Sequence, residues 1–188
     1  MEREMDLRGK EAVSLSSLVK KEYQIPDSYY FGEVKRGLRN SDGTGVLIGD
    51  YLRRNVESVT AVDISPEMIR IAREKFPQEN VTVLCGDASQ THFPAPFDCI
   101  VIYNAFPHFP EPERLISHLA GLLTTGGTLT VAHGFSRKAL DAHHAKTARS
   151  VSNGLLPVEA LAGLFAKHLT VTVQISNDEM YQVVGQCC

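Results

Sequence analysis

The 188-residue chain is 43% hydrophobic and 22% charged, with a formal net charge of −3, an ordinary balance for one globular domain with its own core. A slightly acidic chain with no basic stripe lacks the electrostatic footprint of a nucleic-acid binder. No apolar run approaches the roughly 20 residues that span a bilayer, and the start, MEREMDLRGK, has no apolar leader segment. A cytoplasmic protein with neither nucleic-acid nor membrane partners is expected; composition leaves its oligomeric state open.

In chain order, residues 1–42 fit no regular pattern and form a segment apart from a domain over 43–188. Within the segment, residues 12–21 have helical spacing, 24–31 read as loop, and EVKRGLRN (33–40) offers only Val34 and Leu38 as sizeable apolar residues. From residue 43 onward, helix and strand signals alternate. Gly43-Thr44-Gly45 precedes a helix with Leu47, Ile48, Tyr51 and Leu52 on one side. VTAVD (59–63) is a β-branched run. Ser65 then suits a helix N-cap and Pro66 the first helical position, with Met68, Ile71, Ala72 and Phe76 sharing one face. VTVLC (81–85) and DCIVI (98–102) read as strands. Pro112 opens a helix with a stripe of Leu115, Ile116, Leu119, Leu122 and Leu123, ended by Gly126-Gly127. TLTVA (128–132) is a further strand, and Pro157 opens a helix packing through Leu161, Leu164 and Phe165. The runs 170–175 and 180–184, joined by SNDE, form a hairpin.

Strands alternating with helices predict an α/β fold. The sheet is doubly wound, mostly parallel and Rossmann-like, with a C-terminal antiparallel hairpin and a first strand that is poor or missing. Cys85 and Cys99 lie in apolar runs and are expected to be buried, while Cys187 and Cys188 end the chain. No CxxC pair is present, so neither a zinc ribbon nor a disulfide framework is implied.

A doubly wound sheet binds ligands beyond the carboxyl ends of its strands. Glycines at residues 43 and 45 would let the backbone approach a ligand beside a helix N-terminus. Asp63, at the end of the next strand, is placed to accept hydrogen bonds from a ribose. Asp87, in the Gly86-Asp87 turn, is placed to accept one from an exocyclic amine. Ile64, Met68 and Ala88 would form an apolar slot for the ring. A GxG alone is common, and a strand-end Asp is often only a cap; the joint order of the elements carries the reading.

The stretch GTGVL…LRRNVESVTAVDISPEMIRIAREKF…VTVLCGDA…FPAPFDCIVIYNAFPHFPEPERLISHLAGLLTTGGTLTVAHG resembles class I S-adenosylmethionine-dependent methyltransferases over about residues 43–185. The resemblance implies S-adenosylmethionine as cofactor, with Asp63 on the ribose, Asp87 and Ala88 at the adenine, and Asn104 and Ala105 near the methionine part. NAD binding is the neighbouring option, less like the DISPEMI and GDA stretches.

The family's first strand is an apolar run, an acid, then GxGxG. This chain has Arg39 in the place of the acid and Ser41 in the place of the first glycine, with no apolar strand before them. Residues 14–49 instead resemble the N-terminal segment of bacterial citrate synthases, which carry a similar VKRGLR run before a shared GTGVL. A fusion of that segment to a methyltransferase lacking its own first strand is therefore expected, with an impaired cofactor loop.

Methyl transfer needs chiefly proximity and orientation, and a base only where the acceptor must lose a proton. His108 and His133, each just after a strand, are the candidates. HGFSRKALDAHHA could bring His143 or His144 near His133 as a lid, but no ligand at firm spacing completes a metal site, and no metal is expected. The expected function is S-adenosylmethionine-dependent methyl transfer to a small acceptor. The alternative is an inactive methyltransferase-like fold serving as a binding module.

Overall fold

In the computed structural model, residues 11–15, 34–35, 47–53, 56–93, 96–134, 154–178 and 180–188 are described. In chain order the elements are β1 (Glu11–Leu15), β2 (Val34–Lys35), α1 (Ile48–Arg53), β3 (Ser58–Asp63), α2 (Pro66–Lys75), β4 (Val81–Cys85) and β5 (Phe97–Tyr103). A 3-10 turn (Phe106–His108) follows, then α3 (Pro112–Ala120), β6 (Leu123–His133), α4 (Val158–Phe165), β7 (Thr170–Ser176) and β8 (Tyr181–Gln186).

Among the described residues the eight strands form one sheet. Its main run is β4-β3-β1-β5-β6-β8-β7, with β2 parallel to the end of β3 through Val34–Val62 and Lys35–Asp63. All pairs are parallel except β6–β8 and β7–β8, the expected C-terminal hairpin. The turn is tied by Asn177, whose N donates to Met180 O at 3.0 Å and whose Oδ1 accepts from Met180 N at 2.8 Å.

The central position is where expectation and structure part. The gap between β3 and β5 is filled by β1, EAVSL, parallel to both neighbours, with Val13 opposite Thr60 on one side and Ile100 on the other. The spacing of residues 12–21 predicts a helix, and the family pattern puts the first strand at 34–41, which supplies only the two residues of β2. A first strand is thus present, poor in composition and drawn from earlier in the chain. The physical reason is that β3 and β5 both have backbone groups that need a partner on that side. Tertiary demand outweighs the local helical spacing of a short segment.

β5 runs through the middle and is buried along almost its whole length. Its side chains alternate between two cores. Ile100 and Ile102 face α3 and α4, packing with Phe106, Leu115, Ile116, Leu119, Leu161 and Phe165. Cys99, Val101 and Tyr103 face α1 and α2, packing with Ile48, Tyr51, Ile69 and Ala72. Each fully buried aliphatic side chain contributes on the order of 1.5–3 kcal/mol. Covering both faces of parallel strands explains why the strand reads as a continuous apolar run.

Several local expectations shift. α2 begins as predicted, with Ser65 as N-cap accepting from Met68 N at 3.4 Å and Pro66 at the first position. Its buried positions, however, are Ile69 and Ala72, with Met68, Ile71 and Phe76 half-buried. α3 ends at Ala120, capped by Gly121, so Leu122 and Leu123 are not part of it. Gly126 and Gly127 lie inside β6, where the register jumps from Phe97–Leu123 to Cys99–Thr128. Gly126 takes φ 79° there, which glycine adopts without strain. Cys99 is buried as expected, but Cys85 is exposed, because β4 is an edge strand whose last residue reaches the rim.

Candidate active site

The carboxyl ends of the parallel strands place Asp63 (β3), Gly86-Asp87-Ala88 (after β4), Asn104-Ala105 (after β5) and His133 (end of β6) along one rim. Two backbone bonds and one side-chain bond lock these tips together. Gly86 N donates to Asp63 O at 2.9 Å, Asn104 N donates to Ala132 O at 2.9 Å, and Asn104 Oδ1 accepts from Gly134 N at 3.1 Å. Asn104 makes this link with φ 52°, a left-handed conformation that asparagine tolerates better than most residues. Gly134 is confined too: a Cβ there would lie 2.5 Å from Tyr103 Oη.

Asp63 is 3% exposed, and its Oδ1 accepts from Ser65 N at 2.7 Å. That bond fixes the carboxylate at the strand end while the helix starts beneath it. Beside it, Ile64 is 37% exposed, the one large hydrophobic residue so open among the described residues. Met68, on the first turn of α2, is half-buried, and Ala88, after β4, is fully buried.

Asp87 tells a different story. Its Oδ1 accepts from Ser89 N at 3.0 Å and from Ser89 Oγ at 2.7 Å, and its Oδ2 accepts from Gln90 Nε2 at 3.2 Å. The carboxylate thus organises its own turn. A carboxylate has about four lone-pair positions, so a ligand amine could still share Oδ2 or displace the amide of Gln90.

His108 is half-buried in the 3-10 turn just beyond Ala105. His133 is 1% exposed, its ring edge-to-face with Tyr181 at 5.9 Å and 81°. Tyr181 and its neighbour Gln182 escaped the sequence reading. The available signal was the hairpin: β8 is antiparallel to β6, so its first residues return to the carboxyl-end rim, with Tyr181 opposite His133 and Gln182 opposite Ala132. Gly43, Gly45, His143 and His144 lie outside the described residues. Among the described residues, no cluster of three metal-ligating side chains occurs and no helix is long and apolar enough to cross a membrane.

Residues 42–131 match the methyltransferase domain family. The ubiquinone biosynthesis O-methyltransferase of Xylella fastidiosa is 34% identical over 92 residues, covering 47% of this chain and 37% of that protein. An uncharacterized methyltransferase of Mycobacterium tuberculosis is 36% identical over 86 residues, covering 45% and 44%. The matches thus span less than half the length of these curated relatives. Among solved structures, the S-adenosylmethionine-dependent methyltransferase of Mesorhizobium loti superposes with a TM-score of 0.70 at 13% identity, covering 97% of this chain and 93% of that one. The N-methyltransferase NodS from Bradyrhizobium japonicum, solved with S-adenosyl-L-homocysteine, superposes with a TM-score of 0.64 at 12% identity, covering 96% and 79%. The fold is that of the Rossmann-like methyltransferases.

Proposed function

We propose that this chain binds S-adenosylmethionine along the strand-end rim and catalyses transfer of its methyl group to a small acceptor. The observation that carries the reading is Asp63, held at the end of β3 by Ser65 N, beside the exposed side chain of Ile64. Asp63 takes the ribose hydroxyls, Ile64, Met68 and Ala88 the ring, and Asn104 the region of the methionine part. When bound, the cofactor supplies an electrophilic methyl group. The chain's own part is to orient the acceptor and, for a hydroxyl, to receive its proton. We favour His108 over His133 for that proton, because the ring of His133 is enclosed against Tyr181. A small aromatic or quinol acceptor is the class we favour, because relatives at 34% and 37% identity include the Xylella enzyme and a 2-methyl-6-phytyl-1,4-hydroquinone methyltransferase of Oryza sativa.

We read residues 1–42 as a segment of separate origin, fused to the methyltransferase-like part as its citrate synthase resemblance suggests. The family match begins at residue 42, while β1, from residues 11–15, completes the same sheet between β3 and β5. The second reading, a fold that has lost catalysis, is favoured by one observation: Asp87 is already engaged by Ser89 and Gln90.

Calorimetric titration with S-adenosylmethionine and with S-adenosylhomocysteine separates the two. The first reading expects binding, and expects Asp63→Ala to weaken it by about 1.5–3 kcal/mol, roughly 10- to 150-fold. Equal affinity in the variant would remove Asp63 from the site. No binding of either compound by the parent chain favours the inactive fold.

A further inference from the structure

The two edges of the sheet are built differently. On β4, the guanidinium of Arg73 donates to Val83 O through Nε at 3.3 Å and Nη2 at 2.8 Å, setting a cation against the strand's backbone. On β7, no side chain among the described residues hydrogen-bonds the outward backbone. The two hydroxyl contacts made there turn inward, Thr170 Oγ1 to Cys188 Sγ at 3.4 Å and Thr172 Oγ1 to Val184 O at 3.4 Å. β7 is seven residues long, TVTVQIS, with no charge and no proline. Charges, prolines and very short edges are the usual means by which sheets avoid pairing with another chain.

The sequence of β7 is also a chemical palindrome. Centred on Val173, an antiparallel pairing with itself sets Thr170 opposite Ser176, Val171 opposite Ile175, and Thr172 opposite Gln174. Val171, Val173 and Ile175 are half-buried, while Thr170, Thr172, Gln174 and Ser176 are exposed. Self-pairing would therefore place an apolar ladder on one face and a hydroxyl–amide ladder on the other, with no like charges opposed. We infer that the β7 edge is an interface between two copies of this chain, paired antiparallel about a two-fold axis at Val173 so that one sheet continues through both. A second copy fits better than a different protein because an uncharged edge offers no charge pattern for a foreign partner, whereas its own sequence complements it at every position.

One feature of β7 opposes this. Thr172 is the extra residue of a bulge between Val171 and Val173 in the ladder to β8, and bulges are among the devices that deter edge pairing. The inward bond of Thr172 to Val184 O puts the bulge's hydroxyl on the β8 side, leaving the outer edge to be tested.

The test is sedimentation of the full chain under reducing conditions, from about 5 to about 200 µM, a range suited to a small interface. A reversible monomer–dimer equilibrium is expected. The double variant Thr172→Lys/Gln174→Lys sets like charges opposite each other across the axis and should weaken the dimer at least about tenfold. Thr172→Lys/Gln174→Glu changes the same exposed positions but pairs opposite charges. It should hold the dimer near parent affinity at low salt and lose it as salt rises. Far-UV circular dichroism of both variants controls for folding, and Gln174→Lys alone serves if a double variant misfolds. A parent chain that stays monomeric throughout, or two double variants that dissociate alike, overturns the inference.

Discussion

β5 and β1 lie side by side in the middle of the sheet and are hydrogen-bonded on both sides, yet their sequences have little in common. β5, FDCIVIY, is a near-continuous apolar run whose residues fill both cores. β1, EAVSL, opens with an acid and carries a serine. β5 has the composition its position requires; β1 has the position because β3 and β5 need a neighbour between them. The difference teaches that a buried place in a sheet can be filled by demand from its neighbours, and that such a strand adds less stability of its own than one whose sequence matches the place.

The comparison breaks most visibly in β5. Ile100 is fully buried. Ile100→Asp removes its aliphatic burial and encloses a carboxylate, a loss on the order of 5 kcal/mol or more, comparable with the whole stability of many domains. A thermal melt should show no cooperative transition. A variant melting within about 5 °C of the parent would contradict the central placement of β5.

The matching test in β1 should be milder. Val13 sits between Thr60 and Ile100 in the register. Val13→Pro removes a backbone donor from a strand bonded on both sides, with a loss of about 3 kcal/mol by analogy with proline in helices. For a chain of this size that lowers the melting temperature by roughly 6–12 °C. An unchanged melting temperature would mean that EAVSL does not hold the gap in solution, and that the sheet is stable without it.

Most of the fold was legible because its signals are local. The β-branched runs of β3 and β4, the Ser65-Pro66 start of α2, the apolar stripe of α3 and the C-terminal hairpin each follow from residues within one element. Asp63, Asp87, Asn104, His108 and His133 could be placed at the rim because strand ends define it. What escaped depends on pairing at a distance. The place of β1 is set by β3 and β5, the return of Tyr181 to the rim by β8 folding back on β6, and the position of Gly126-Gly127 inside β6 by the register against β5. The capture of Asp87 by Ser89 and Gln90 was closer to hand, since an Asp followed by Ser often closes its own turn.

The smallest effect sharpens the comparison rather than breaking it. If β1 is a poor sequence in a good place, improving the sequence should stabilise the protein. Ser14 is in register between Ala61 on β3 and Val101 on β5, both of them buried. In a strand bonded on both sides, a β-branched side chain suits the pleated backbone better than serine does. Ser14→Val should therefore add about 1 kcal/mol, the span of strand propensities, and raise the melting temperature by roughly 2–4 °C. The sign decides the matter more than the size. A rise confirms that position 14 stands in the apolar middle of the sheet. A fall, measured alongside an unaffected Thr82→Val control at an exposed position of β4, would mean that residue 14 meets water or a polar partner, and that the register Ser14–Ala61–Val101 is not the one the protein adopts.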